Sequence, residues 1–188
     1  MRDAARDIQE VLLTREQIAS RVQELADAIA RDYEGTVPLL ISVLKGAVYF
    51  LTDLTQAMAI PLEIDFMAIT SYGSARARSG VVRLLKDLET EITGRHVLLV
   101  EDIIDTGLTA GYLVRLLQAR GPSTLRICTL LDRPYRRIVE TLDIAYRGFE
   151  IPDRFVVGYG LDYREQYRHL PFIGVLKEEV LRTGGPSR

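Results

Sequence analysis

The chain has 188 residues, 47% of them hydrophobic and 27% charged, with a formal net charge of −2. That length builds one sizeable core, so a single domain over residues 1–188 is the expectation. The net acidity argues against a nucleic-acid-binding surface, and no run approaches the roughly 18 apolar residues of a membrane span.

The N-terminal stretch MRDAARDIQE is charged and has no apolar h-region, so a cytoplasmic location is expected. Cys128, the single cysteine, lies in the apolar run LRICTLL, which excludes an intrachain disulfide. With His96 and His169 as the only histidines, a zinc site of Cys/His type is excluded too. A metal here is a hard cation held by oxygen, magnesium above all.

In chain order, Thr14 and Gln17 form a capping box, and Ile18, Val22, Leu25, Ala26 and Ile29 recur at helical spacing before a stop at Gly35. VPLLISVLKGAVYFLTDLTQAM reads as a buried strand, a tight Lys45–Gly46 break and a second helix. IPLEIDFMAI is strand-like, and the Gly/Ser/Arg run TSYGSARARSG after it is a loop. VVRLLKDL, HVLLVED and STLRICTLL are further short apolar runs. A helix closing at Gly121–Pro122 lies between the last two. From Gly148 the sequence reads as a turn-rich tail and ends in a strand-like IGVLK. Apolar runs alternating with helices predict an α/β fold: a mostly parallel sheet flanked by helices. The tail would form a small hood over the carboxyl edge, where such sheets bind ligands.

The segment VLLVEDIIDTGLTAGYLVRLLQARG sits at such an edge. An apolar strand runs into Glu101, Asp102 and Asp105, and Thr106, Gly107 and Thr109 follow as a helix starts. Unpaired N–H groups at a helix start form an anion site, the hydroxyls add donors, and Gly107 admits close approach. Neighbouring carboxylates do not suit a bare phosphate. They suit adjacent sugar hydroxyls or a divalent cation, so the pattern describes a ribose 5-phosphate with Asp105 near the reacting carbon. A plain helix cap is the competing reading for any one of these residues.

This stretch resembles the 5-phosphoribosyl-1-pyrophosphate (PRPP) signature of the type I phosphoribosyltransferases. LKGAVYFLTDL, SYGS, VEDIIDTGLT, LLDRP and GFEIPDRFVVGYGLDY resemble segments of the hypoxanthine-guanine phosphoribosyltransferase family, in its order, from about Ile8 to Leu181. The resemblance implies a Mg²⁺-dependent transfer from PRPP to hypoxanthine or guanine that gives IMP or GMP and pyrophosphate. It implies a hood built from N-terminal residues and about 133–170, and a homodimer or homotetramer.

The residue roles it implies are as follows. Glu101 and Asp102 contact the ribose hydroxyls and the metal, and Asp162 completes a second metal site. The run continues through Ile103 and Ile104 to Asp105, the acid/base residue at the purine. Thr106, Gly107, Leu108 and Thr109 cradle the 5′-phosphate. Lys45 and Gly46 form the pyrophosphate loop, with a non-proline cis peptide at Leu44–Lys45, and Arg168 reaches the pyrophosphate. Ser71 and Tyr72 belong to a mobile loop. Phe155 stacks on the purine, and Val156 and Asp162 meet its edge. Arg133 stands where the family usually has lysine; it would donate to the 6-oxo group, and the exchange is not conservative. A xanthine-preferring enzyme and an RNA-binding pyrimidine attenuation regulator on the same fold are the competing functions.

Overall fold

The computed structural model describes residues 4–72, 81–139 and 141–183. After a single 3₁₀ turn, Ala4–Asp7, the elements are β1 (Ile8–Leu13), α1 (Arg15–Asp32), β2 (Leu39–Leu44), α2 (Val48–Ala57), β3 (Glu63–Tyr72), β4 (Val81–Lys86), β5 (His96–Ile104) and α3 (Leu108–Gln118). They continue with β6 (Thr124–Asp132), β7 (Ile144–Glu150), β8 (Val156–Val157), β9 (Ile173–Leu176) and α4 (Glu178–Thr183). The six-stranded sheet has the order β4-β3-β2-β5-β6-β7, and only β4 is antiparallel to its neighbour. The expected mostly parallel α/β fold is present.

Local chemistry accounts for the elements. The capping box forms as expected, with the Thr14 N–H donating to Gln17 Oε1 at 2.8 Å and the Gln17 N–H to Thr14 Oγ1 at 3.3 Å. Ile18, Val22, Leu25, Ala26 and Ile29 form the buried stripe of α1. The central strands are buried on both faces, so they read as unbroken apolar runs. Leu40, Leu98 and Cys128 join α1 and α2 in one core, whereas Leu39, Ile41, Leu99 and Ile127 join α3 in another. Burial pushes the Cys128 thiol pKa far up, which keeps it neutral.

This layering fixes where a ligand can sit. β2 connects through α2 to β3 on one side, and β5 connects through α3 to β6 on the other. The helices pack on opposite faces, so the carboxyl ends of β2 and β5 diverge at a switch point, the usual crevice of an open α/β sheet. A second, antiparallel sheet, β1-β9-β8, pairs the N-terminal strand with the tail and is termed the hood; of the residues 133–170 expected in a hood, Ile144–Glu150 instead join the main sheet as β7.

Three strands were not distinguishable in the sequence. β7 lies partly in the stretch that reads as a turn-rich tail, because an edge strand with mixed burial presents no apolar run. β1, IQEVLL, is half exposed, and β8 has only two residues. Ser71 and Tyr72 end β3; residues 73–80, and with them the expected closing loop, lie outside the described residues.

Candidate active site

A cavity of about 240 Å³ lies at the switch point, lined by Val43, Leu44 and Gly46 from the end of β2 and by residues from Glu101 to Ala110 around the end of β5. β5 carries its acids to this edge because its upstream half, Val97–Val100, is locked in the core. Glu101 is buried, and its Oε1 has no hydrogen-bond partner among the described residues. Burial and then the neighbouring Asp102 charge push its carboxyl well above the usual range. Asp102 is pushed up to about 6, chiefly by burial, against the Ile103 N–H that donates to its Oδ1 at 2.7 Å. The buried Glu101 carboxyl, beside the half-buried Asp102, is thus short of a donor or of a cation.

The turn behind them is built to leave a helix end open. Gly107 sits at φ 80° as the residue before α3, and no side chain caps the helix. The Leu108 N–H reaches Thr106 Oγ1 only at 3.4 Å. Apart from that long bond, the acids and threonines stand at the helix start without capping it. A Cβ at Gly107 would lie 2.8 Å from Leu142 Cδ1 and 2.9 Å from Arg137 Cδ. Those side chains belong to a strap that crosses the turn, where the Ile138 and Val139 N–H groups donate to the Thr106 carbonyl at 2.8 and 3.3 Å. Under the strap, fully buried Asp132 pairs with Arg137 and lies 2.8 Å from Arg147 Nε.

The opposite wall is the loop after β2. Its Leu44–Lys45 peptide is cis, as the resemblance implied. A Cβ on Gly46 would fall 1.8 Å from Asp102 Oδ2 and 3.5 Å from the Gly160 carbonyl. Gly160 itself, at φ +97°, approaches the Gly46 carbonyl so closely that a Cβ there would stand 2.1 Å away. Loop, acid and hood thus meet with no room for a side chain. Above them Lys45 Nζ lies 2.7 Å from Glu165 Oε2. Arg168 pairs with Asp162 at 2.8 Å and with Glu165 at 3.2 Å, and donates to the Gly160 carbonyl at 2.8 Å.

On the hood side, Asp105 Oδ2 faces two guanidinium groups, Arg133 at 3.3 Å and Arg136 at 3.4 Å. Arg133 is buried and also donates to the Arg154 carbonyl at 2.7 Å. Phe155 follows Arg154 and is 44% exposed, its ring edge-on to that of Tyr163 at 5.6 Å between centroids. Val156 is buried in β8.

The cavity gathers Gly46, Glu101, Asp102, Ile103, Ile104, Asp105, Thr106, Gly107 and Thr109. Lys45, Leu108, Arg133, Phe155, Val156, Asp162 and Arg168 do not line it; Arg133 is tied to it through Asp105, and Asp162 and Arg168 through the charge they exert on Asp102. Among the described residues no group of three or more His, Cys, Asp or Glu side chains forms a metal cage. Gly160, Glu165, Arg136 and the Asp132 cluster were not singled out by the sequence. The run DYREQYR, with acids three apart between arginines, was the available signal for Glu165.

The chain matches the phosphoribosyl transferase domain family over residues 9–164. It is 53% identical over 180 residues to the hypoxanthine-guanine phosphoribosyltransferase of Mycobacterium tuberculosis strain H37Rv, covering 93% of this chain and 89% of that protein. The Bacillus subtilis enzyme of the same name is 49% identical over 177 residues, covering 94% and 98%. A Staphylococcus aureus hypoxanthine phosphoribosyltransferase crystal structure superposes with a TM-score of 0.89 at 45% identity, covering 93% of this chain and 95% of that one. The chain belongs to the phosphoribosyltransferase family, within its hypoxanthine-guanine branch.

Proposed function

We propose that this chain transfers the 5-phosphoribosyl group of PRPP to hypoxanthine and guanine, giving IMP or GMP and pyrophosphate in purine salvage. The carrying observation is one cavity that joins the acids Glu101 and Asp102, the former with a buried, unpartnered Oε1 among the described residues, to a helix start without a side-chain cap. The first suits a sugar diol and the second a phosphate. Thr106 to Thr109 hold the 5′-phosphate, and Glu101 and Asp102 the ribose hydroxyls. The buried, partnerless Glu101 Oε1 also fits a hard cation, and Glu101, Asp102 and Asp162 would hold Mg²⁺ together with PRPP oxygens rather than as a protein cage. Bound Mg²⁺ supplies charge neutralisation at the departing pyrophosphate.

The chain's own groups do the rest. A purine ring nitrogen attacks C1 as the C1–O bond to pyrophosphate breaks, and Asp105 takes or holds the ring proton at N7. Lys45, Gly46 and Arg168 stabilise the growing charge on the leaving group. Phe155 offers an exposed face to the base, and Val156, Asp162 and Arg133 approach its edge. Ser71 and Tyr72, at the end of β3, lead into the segment expected to close over the reacting sugar. The working chain is a single domain in the cytoplasm, assembled as a homodimer or homotetramer; among the described residues no helix is long and apolar enough to cross a membrane.

The test is nucleotide formation from PRPP and Mg²⁺ with hypoxanthine, guanine and xanthine in parallel. IMP and GMP are expected to form faster than XMP. PRPP binding with no turnover of any base would refute the transferase reading and favour a regulatory protein on this fold.

A further inference from the structure

Arg133 closes β6 at the sheet edge, and its backbone N–H donates to the Ile104 carbonyl at 3.0 Å, so its Cα is pinned beside the end of β5. Its side chain is 7% exposed and forks. Nη1 donates to Asp105 Oδ2 at 3.3 Å, and Nη2 to the Arg154 carbonyl at 2.7 Å. Arg154 precedes Phe155, the aromatic face of the hood, and is itself anchored to β1 by an ion pair with Glu10 at 3.0 Å. One planar group therefore joins the strand-end acid to the hood backbone. Among the described residues the one other charged side chain paired with Asp105 is Arg136, at 3.4 Å on the same oxygen, and it also faces Asp153 at 3.7 Å. Arg136 is half exposed and shared between two acids, whereas Arg133 is buried and fixed at both ends, so Arg133 sets the carboxylate's orientation.

We propose that Arg133 is a positioning residue for Asp105: it aligns the acid only when the hood backbone at Arg154 is seated, and so couples seating of the purine platform to the proton-handling group. This rests on the phosphoribosyl-transfer reading. A lysine at this position presents a single shorter ammonium in place of the fork, so it retains the charge and loses the two-ended geometry.

The experiment is a double-mutant cycle of Arg133→Met and Arg133→Lys against Asp105→Asn, reading kcat, both KM values and Tm with hypoxanthine as the base. Losing a charge-assisted hydrogen bond that orients the acid should lower kcat about tenfold or more for Arg133→Met, with Arg133→Lys in between and the PRPP KM within about twofold of the parent. In the Asp105→Asn background the same changes should lower kcat by less than about twofold. Equal penalties in both backgrounds, or a raised purine KM with kcat intact, would overturn the positioning role and make Arg133 a direct base contact. Arg133→Lys keeps the test readable if Arg133→Met does not fold. A parent chain that forms no nucleotide overturns the transfer reading, and this inference with it.

Discussion

Gly46→Ala isolates the close approach at the heart of the site. The new Cβ would stand 1.8 Å from Asp102 Oδ2 and 3.0 Å from its Cγ, with the Gly160 carbonyl 3.5 Å away on the other side. Real Cβ contacts do not fall below 3.0 Å, so the carboxylate must retreat by about 1.2 Å. A retreat of that size strains its 2.7 Å bond from the Ile103 N–H. Crowding of this kind costs about 1–3 kcal/mol, which lowers Tm by roughly 2–12 °C in a chain of this size. The functional loss is larger, because a misplacement of about 1 Å at a reacting group can cost on the order of 100-fold. Titration calorimetry with PRPP and Mg²⁺, beside calorimetric melting, reads both effects. A folded variant that binds PRPP within about threefold of the parent would refute the placement of Asp102 on the sugar.

Three other outcomes follow from the same geometry. Asp102, pushed up to about 6, and Glu101, raised above the usual range, keep their protons to higher pH than ordinary carboxyls do. For Asp102 the contribution to stability is fully present below the ordinary carboxylate range and is lost as pH rises through about 6. PRPP–Mg²⁺ needs both ionised, so its affinity should fall as pH drops from 7 to 5; Asp102→Asn separates this from titration of the ligand's phosphate, and an affinity equally flat in both proteins contradicts the assignment. Phe155→Ala should raise the purine KM by about 5- to 100-fold, the range of lost base stacking, and leave PRPP affinity unchanged; steady-state kinetics with each substrate varied decides it. Glu165, held well ionised chiefly by Lys45 and exposed to solvent, occupies the two cations assigned to pyrophosphate. Glu165→Gln should make pyrophosphate a slightly tighter product inhibitor, and weaker inhibition would show that Glu165 instead holds those cations in place.

Much of the fold was legible because its signals are local. The Thr14–Gln17 box, the helical stripe after it and the apolar runs of β2, β5 and β6 each lie within one element, and the structure forms all of them. The acids and the Thr-Gly turn were legible as a set because a buried strand ending in charge, just before a helix, has few structural explanations. What escaped depends on pairing across the chain. β7 and β1 are edge strands whose mixed burial hides them, and the contact of Gly160 with Gly46 joins residues 114 positions apart, with no trace in local spacing. Arg133 was expected at the purine through resemblance alone. That its guanidinium spans Asp105 and the Arg154 carbonyl is a property of the packed hood.

The central claim is that Asp105 handles the proton of a base while the residues around it hold PRPP. Its most direct test is turnover of hypoxanthine with PRPP and Mg²⁺ by the parent chain and by Asp105→Asn, with PRPP affinity measured in both. The account predicts IMP formation by the parent, a loss of at least about 100-fold in kcat for the variant, and PRPP affinities within about threefold of each other. Equal turnover in the two proteins, or loss of PRPP binding together with turnover, would contradict it.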